Sequence, residues 1–200
     1  MKKTLTMILA FALVFALGVG GTLAWLTDST GEVKNVFTTS DINVELDEGV
    51  DVDIKGEESF KMVPGHTIVK DPIVTVKAGS EDSILFVKVD VKDNSITVDN
   101  DTVDNIINWT IADGWTLVPG ETDVYYREVT GLTAENAKDA EFHILANDKV
   151  TVDEDVTKAM MEAIKTEPTM TFTAYAHQLV KDNVTSTKFT AAEAWALING

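Results

Sequence analysis

The chain has 200 residues, 16 Lys and Arg against 33 Asp and Glu, and a formal net charge of −17; that length holds one ordinary domain or two small ones. With 44% of residues hydrophobic and 24% charged, a core can outweigh chain entropy, which excludes wholesale disorder. So acidic a chain repels a phosphate backbone, which excludes nucleic acid as a partner, and the absence of cysteine excludes disulfides, thiolate metal sites and cysteine nucleophiles.

Lys2 and Lys3 precede an uncharged stretch from Thr4 to Trp25, most apolar between Met7 and Gly21 and ending in small residues at Thr22 and Ala24. Basic, apolar and small-residue regions in that order predict a secretory signal peptide over 1–24, cleaved between Ala24 and Trp25. The competing reading is a retained membrane helix, because about 20 apolar residues can span a bilayer. Gly18, Gly20 and Gly21 weaken that end, and no basic cluster follows to act as a stop, so cleavage is the expectation. Under both readings the two lysines keep the N-terminus inside and the rest of the chain is exported. Residues 1–24 carry no acid, so cleavage leaves 14 bases against 33 acids and a mature charge of −19.

From Ile42 onward apolar residues alternate with polar ones: Ile42, Val44 and Leu46; Val50, Val52 and Ile54; Leu85, Val87, Val89 and Val91. Period two predicts strands with one buried face. Residues 73–76, 95–98, 115–118, 124–129, 141–145 and 170–176 extend the series. Two Pro-Gly pairs, Pro64-Gly65 and Pro119-Gly120, predict type II turns, since Pro presets the first turn angle and Gly accepts the positive φ of the second. The two helices expected are short, about 151–165 and 190–199. The first has Thr151 and Glu154 at capping-box spacing and a stripe of Val156, Ala159, Met160, Ala163 and Ile164 before Pro168. The second opens at Thr190 with Glu193 three residues on, and places Ala191, Ala194, Trp195 and Ile198 on one face. Eight or more short strands with two such helices predict an all-β fold, an antiparallel β-sandwich.

The chemistry-bearing residues are few. Metallopeptidase chemistry wants two histidines one helical turn apart with a Glu between them, and no His-Glu-x-x-His occurs. His66, His143 and His177 are far apart in sequence, on a turn and two predicted strands, and their default role is a surface or half-buried one. No Gly-x-Ser-x-Gly elbow and no phosphate-cradling glycine loop occurs either. No catalytic residue is assigned, and a non-enzymatic role is the expectation. Two acidic runs offer oxygen ligands suited to calcium, 47–53 and 99–105, with Asp99, Asp101 and Asp104 as weak candidate ligands. Neither follows the loop pattern of a calcium hand, so solvated turns are the default, and no other cofactor is expected.

One stretch is more specific. Gly20-Gly-Thr-Leu-Ala-Trp-Leu-Thr-Asp28, followed by Asn35-Val-Phe-Thr-Thr-Ser-Asp-Ile-Asn-Val-Glu-Leu46, resembles the opening of the TasA/camelysin family of Gram-positive bacteria. Ser40 stands where that family usually has Gly. The resemblance continues through Met62-Val-Pro-Gly65, Ile84-Leu-Phe-Val-Lys-Val89 and Ala191-Ala-Glu-Ala-Trp195, and so covers most of the chain. It implies a jelly-roll protein secreted to the cell surface or matrix, processed by a signal peptidase of the SipW type either after Ala24 or after Trp25. Relatives of this kind build extracellular fibres of biofilms, which implies self-association into filaments and contact with other matrix proteins. Some relatives are labelled camelysin-type metalloproteases, a label for which no zinc motif stands here.

The domain organisation expected is therefore a signal peptide at 1–24, an N-terminal arm at 25–40 and a β-sandwich domain at 41–200. The arm carries Trp25, Leu26, Val33, Val36 and Phe37, with few charges. Freed by cleavage, it can lie in a neighbour's groove as a donor strand, and head-to-tail addition of that kind grows an open filament. The alternative is that residues 33–46 form the first strand of the same molecule's sandwich. An adhesion module with calcium, or a camelysin-like peptidase, are the other functional classes left open.

Overall fold

The computed structural model describes residues 42–48, 60–181 and 186–200. The signal segment, the cleavage positions Ala24 and Trp25, the arm residues Leu26, Val33, Val36 and Phe37, and the alternating stretch 50–54 lie outside the described residues. The described chain is mostly antiparallel β-sheet, sandwich-like and not closed into a barrel, with two α-helices.

The twelve strands are β1 (Val44–Glu48), β2 (Thr67–Val69), β3 (Pro72–Val76), β4 (Ser83–Lys92), β5 (Ile96–Val98), β6 (Asp101–Val103), β7 (Ile107–Asn108), β8 (Thr116–Leu117), β9 (Val124–Val129), β10 (Ala140–His143), β11 (Lys149–Val152) and β12 (Thr169–Gln178). The helices are α1 (Lys158–Ala163) and α2 (Ala191–Asn199). A first sheet has the order β1-β3-β10, a second β2-β11-β7 and a third β12-β4-β9-β8, while β5 and β6 form a hairpin.

Alternation along the strands builds the main core. Val74 and Val76 of β3, Leu85, Val87 and Val89 of β4 and Val129 of β9 are buried together with Trp115 and Ile144 between the first and third sheets. Sequence alternation predicts one buried face for β4, and the structure buries both. Ile84 and Phe86 point the other way, into a second core with Val124, Leu179, Ala194 and Trp195. The physical reason is α2, which lies over that face. The uninterrupted apolar run Ile84-Leu-Phe-Val87 is what a strand covered on both sides looks like. A third cluster packs Val156 and Met160 against Val103 and Ile106.

Both Pro-Gly turns form. His66 N–H donates to Val63 O at 2.9 Å and Glu121 N–H to Val118 O at 3.0 Å, with Gly65 at φ 74° and Gly120 at φ 93°, the positive angle a type II turn needs. The capping box on α2 also forms: Thr190 Oγ1 accepts from Glu193 N–H at 3.3 Å, and Glu193 Oε2 accepts from Thr190 N–H at 2.9 Å. The helix expected over 151–165 is corrected. Lys149–Val152 is strand β11, paired with β2 and β7 on its two sides, and α1 begins after Thr157, whose Oγ1 accepts from Met160 N–H at 3.2 Å. Ladder bonds on both edges outweigh the local cap at Thr151, and the stripe residues Val156 and Met160 are buried as their spacing predicts. No helix among the described residues is long and apolar enough to cross a membrane.

The second and first sheets are linked by one bent ribbon. β2 and β3 run on from each other through Lys70 and Asp71, and β10 and β11 through residues 144–148. Because β10 pairs with β3 and β11 with β2, two antiparallel strands pass together from one sheet into the other. Ile144 N–H bonds Pro72 O at 3.0 Å and Lys70 N–H bonds Asp148 O at 2.9 Å, which fastens both sides of the bend.

Candidate functional site

The bend brings together the most chemically distinctive group in the described chain. His143 ends β10 opposite Ile73 of β3, so its side chain stands next to Asp71, the residue before β3. On the other strand the connection contains a short 3-10 turn, Ala146–Asp148, with Asn147 at φ 56° and Asp148 at φ 53°. Successive left-handed residues, a conformation Asn and Asp accept more readily than most, return the chain toward the end of β10. His143 Nδ1 then lies 2.7 Å from Asp71 Oδ1 and 2.9 Å from Asp148 Oδ1. Among the described residues this is the one group of three His or carboxylate side chains whose donor atoms lie within 4.8 Å of one another.

The surroundings hold the group in place. Trp115 Nε1 donates to His143 O at 2.8 Å, fixing the end of β10. Ala112 N–H donates to Ile144 O and Ala146 N–H to Thr110 O, which anchors the turn. The side chain of Asp71 is largely covered, at 16% exposed, while those of Asp148 and His143 are open at 40% and 49%. Beside them is a shallow cavity of about 440 Å³ lined by Ala112, Asp113, Leu145 and Asn147 as well as by His143 and Asp148. The hydrogen bond to Asp71 is the main cause that raises the imidazole pKa above its ordinary value; burial opposes it, and the charges of Asp71 and Asp148 add to it. Either carboxylate favours positive charge at Nδ1. Among the described residues no hydroxyl is hydrogen-bonded to the ring, so the carboxylates orient the imidazole without a nucleophile in line. What the arrangement can hold is a proton or a cation at Nδ1.

The other candidates fall elsewhere. Asp99 and Asn100, at φ 53° and 68°, make the two-residue turn of the β5–β6 hairpin, the left-handed pair that such a turn requires. Asp101 is on β6 and Asp104 just beyond it, all three carboxylates being exposed. The structure does not gather Asp99, Asp101 and Asp104 into a ligand cluster. Asp47 lies on β1, and the rest of the 47–53 run falls largely outside the described residues. His66 follows the first Pro-Gly turn and is exposed. His177, on β12, has Nδ1 2.8 Å from Gln178 O and its ring edge-on to Phe189 at 4.7 Å. The three histidines do not form a shared metal site. Asp71 and Asp148 carry no signal in the sequence that singles them out; His143 meets Asp71 only through a contact between residues 72 apart.

A second feature concerns the sheet edges. β12 is ten residues long and bonds β4 along its whole length from Thr169↔Lys92 to Gln178↔Ser83. Among the described residues no strand pairs with its other side. Its inward residues Met170, Phe172, Ala174 and Ala176 pack on the main core yet remain only partly buried. β1 runs close by, with Cα atoms within 8 Å of those of β12, and is itself the edge of the first sheet.

The fold and these features define an open, antiparallel β-sandwich in which the long strand β12 is a sheet edge among the described residues. Comparison with protein-family models, with curated proteins and with solved structures finds no match to the chain.

Proposed function

We propose that the protein is a secreted structural subunit of extracellular matrix fibres, in which the N-terminal arm of one copy adds as a strand to the next. The observation that carries this reading is the β12 edge: a ten-residue strand that, among the described residues, is paired on one side, with half-covered apolar side chains beneath it. Unblocked edges of that length are normally avoided, because their free N–H and C=O groups recruit other strands. An added strand would close these groups and cover Met170 and Phe172 in the same step. Ten residues of strand extend about 33 Å and the sixteen of the arm, fully extended, about 50 Å, so the segment is long enough to line the whole edge. Roughly five residues of β12 would each exchange an N–H and a C=O bond with it, at about 1 kcal/mol net per bond. Trp25, Leu26, Val33, Val36 and Phe37 supply apolar side chains for the slot.

Export follows from the segment 1–24, and its removal couples secretion to assembly in this scheme: the arm becomes a free end only when the signal peptidase, of the SipW type in the family resembled, has acted. The test is electron microscopy and sedimentation of secreted protein alongside a version that starts at Ile42. Filaments from the first and none from the second are expected. Equal polymerisation of both overturns the donor role of the arm, and a strictly monomeric full-length secreted protein in every buffer overturns the fibre reading itself.

A further inference from the structure

We propose that Asp71, His143 and Asp148 form a clasp for a divalent transition-metal cation that pins the bend where the β2–β3 and β10–β11 strands pass from one sheet into the next. The proposal is independent of the assembly reading.

It starts from an imbalance at one atom. The imidazole Nδ1 carries at most one proton, yet two carboxylate oxygens approach it at 2.7 and 2.9 Å, and each competes for that proton. A single cation placed among the three atoms serves all of them at once. Ligands around a cation with bonds near 2.1 Å lie about 3.0 Å apart at the right angles of an octahedral site and about 3.4 Å apart at the tetrahedral angle zinc favours. The two Nδ1–carboxylate separations open by about 0.1–0.3 Å for the octahedral case and about 0.5–0.7 Å for the tetrahedral one, which side-chain torsions supply.

The donors come from three points on both strands of the ribbon: Asp71 from one connection, His143 from the end of β10 and Asp148 from the turn that follows. A cation there would tie the two connections by their side chains where backbone hydrogen bonds already tie them. Its open face meets the cavity of about 440 Å³, room for the waters that complete the coordination of a three-ligand site. One imidazole nitrogen with two carboxylates suits zinc or manganese; calcium prefers six to eight oxygens. The chain's 33 acids against 16 bases also raise the local concentration of any cation.

The experiment uses the secreted protein, stripped with chelator and dialysed. Calorimetric titration with zinc chloride is expected to show one saturable equivalent per chain, and melting midpoints are expected to rise with zinc. H143Q and D148N are expected to weaken uptake by at least about tenfold, while circular dichroism of the metal-free variants stays that of the parent. Manganese added to isotope-labelled parent protein gives a reading that depends on no variant: line broadening centred on Asp71, His143 and Asp148 supports the clasp. Broadening centred on the Asp99–Asp104 hairpin, zinc uptake unchanged in both variants, tighter binding of calcium than of zinc, or no saturable uptake each overturns it.

Discussion

Replacing Trp195 by Ala tests whether α2 is what buries the outer face of the third sheet. Trp195 is 3% exposed, and its ring meets Phe86 at 5.4 Å and Tyr175, edge to face, at 5.3 Å. Removal of a buried Trp costs about 3–5 kcal/mol, the lost transfer energy adding to the cavity left behind. For a domain of this size each kcal/mol moves the melting midpoint by about 2–4 °C, so the midpoint should fall by about 6–20 °C. Trp195 Nε1 is buried with no hydrogen-bond partner among the described residues, and an unsatisfied buried donor carries a penalty of about 1–3 kcal/mol. Phe at this position keeps most of the ring and removes that donor, so W195F should cost about 1 kcal/mol. Urea unfolding followed by circular dichroism measures both. A loss below about 1 kcal/mol for W195A, or equal losses for W195A and W195F, would refute the assignment of α2 as the cover of Phe86.

Two further outcomes follow from the same region and from the turns. Glu193 is held at a pKa of about 2, first by its hydrogen bond from Lys181 and then by those from Thr190; its folded pKa is depressed, so the support it gives α2 is present above its unfolded pKa near 4.5 and is lost as pH falls toward 2. Melting curves of the parent and of E193Q should therefore differ at neutral pH and converge near pH 2, and a constant difference across that range would refute the linkage. G120A places a side chain at φ 93° with open space around it, so only the backbone term acts, about 1–2 kcal/mol of lost stability in urea unfolding; an unchanged midpoint would show that the turn relaxes.

Local patterning was enough where neighbouring residues alone set the outcome. Alternation placed most strands, because side chains two apart share a face whatever they pack against. Pro64-Gly65 and Pro119-Gly120 specified their turns through backbone sterics, and Thr190 with Glu193 specified the start of α2 through hydrogen bonds within one turn. The same pattern at Thr151 and Glu154 misled, since β2 and β7 flank Lys149–Val152 and their ladders outcompete a local cap. The local difference lies in the neighbours: Val150 and Val152 flank Thr151 and favour a strand, whereas Ala191 and Ala192 follow Thr190 and favour a helix.

The absence of thiol chemistry and the all-β architecture were thus readable from composition and period. The grouping at the bend was not. His143 faces Asp71 because β10 pairs with β3 in one register, and Asp148 joins them because two left-handed residues turn the chain back. A slip of one residue would send the imidazole to the opposite face. Register is a property of two strands far apart in the chain, so their meeting is decided by packing of the whole sandwich and leaves no mark in either strand alone.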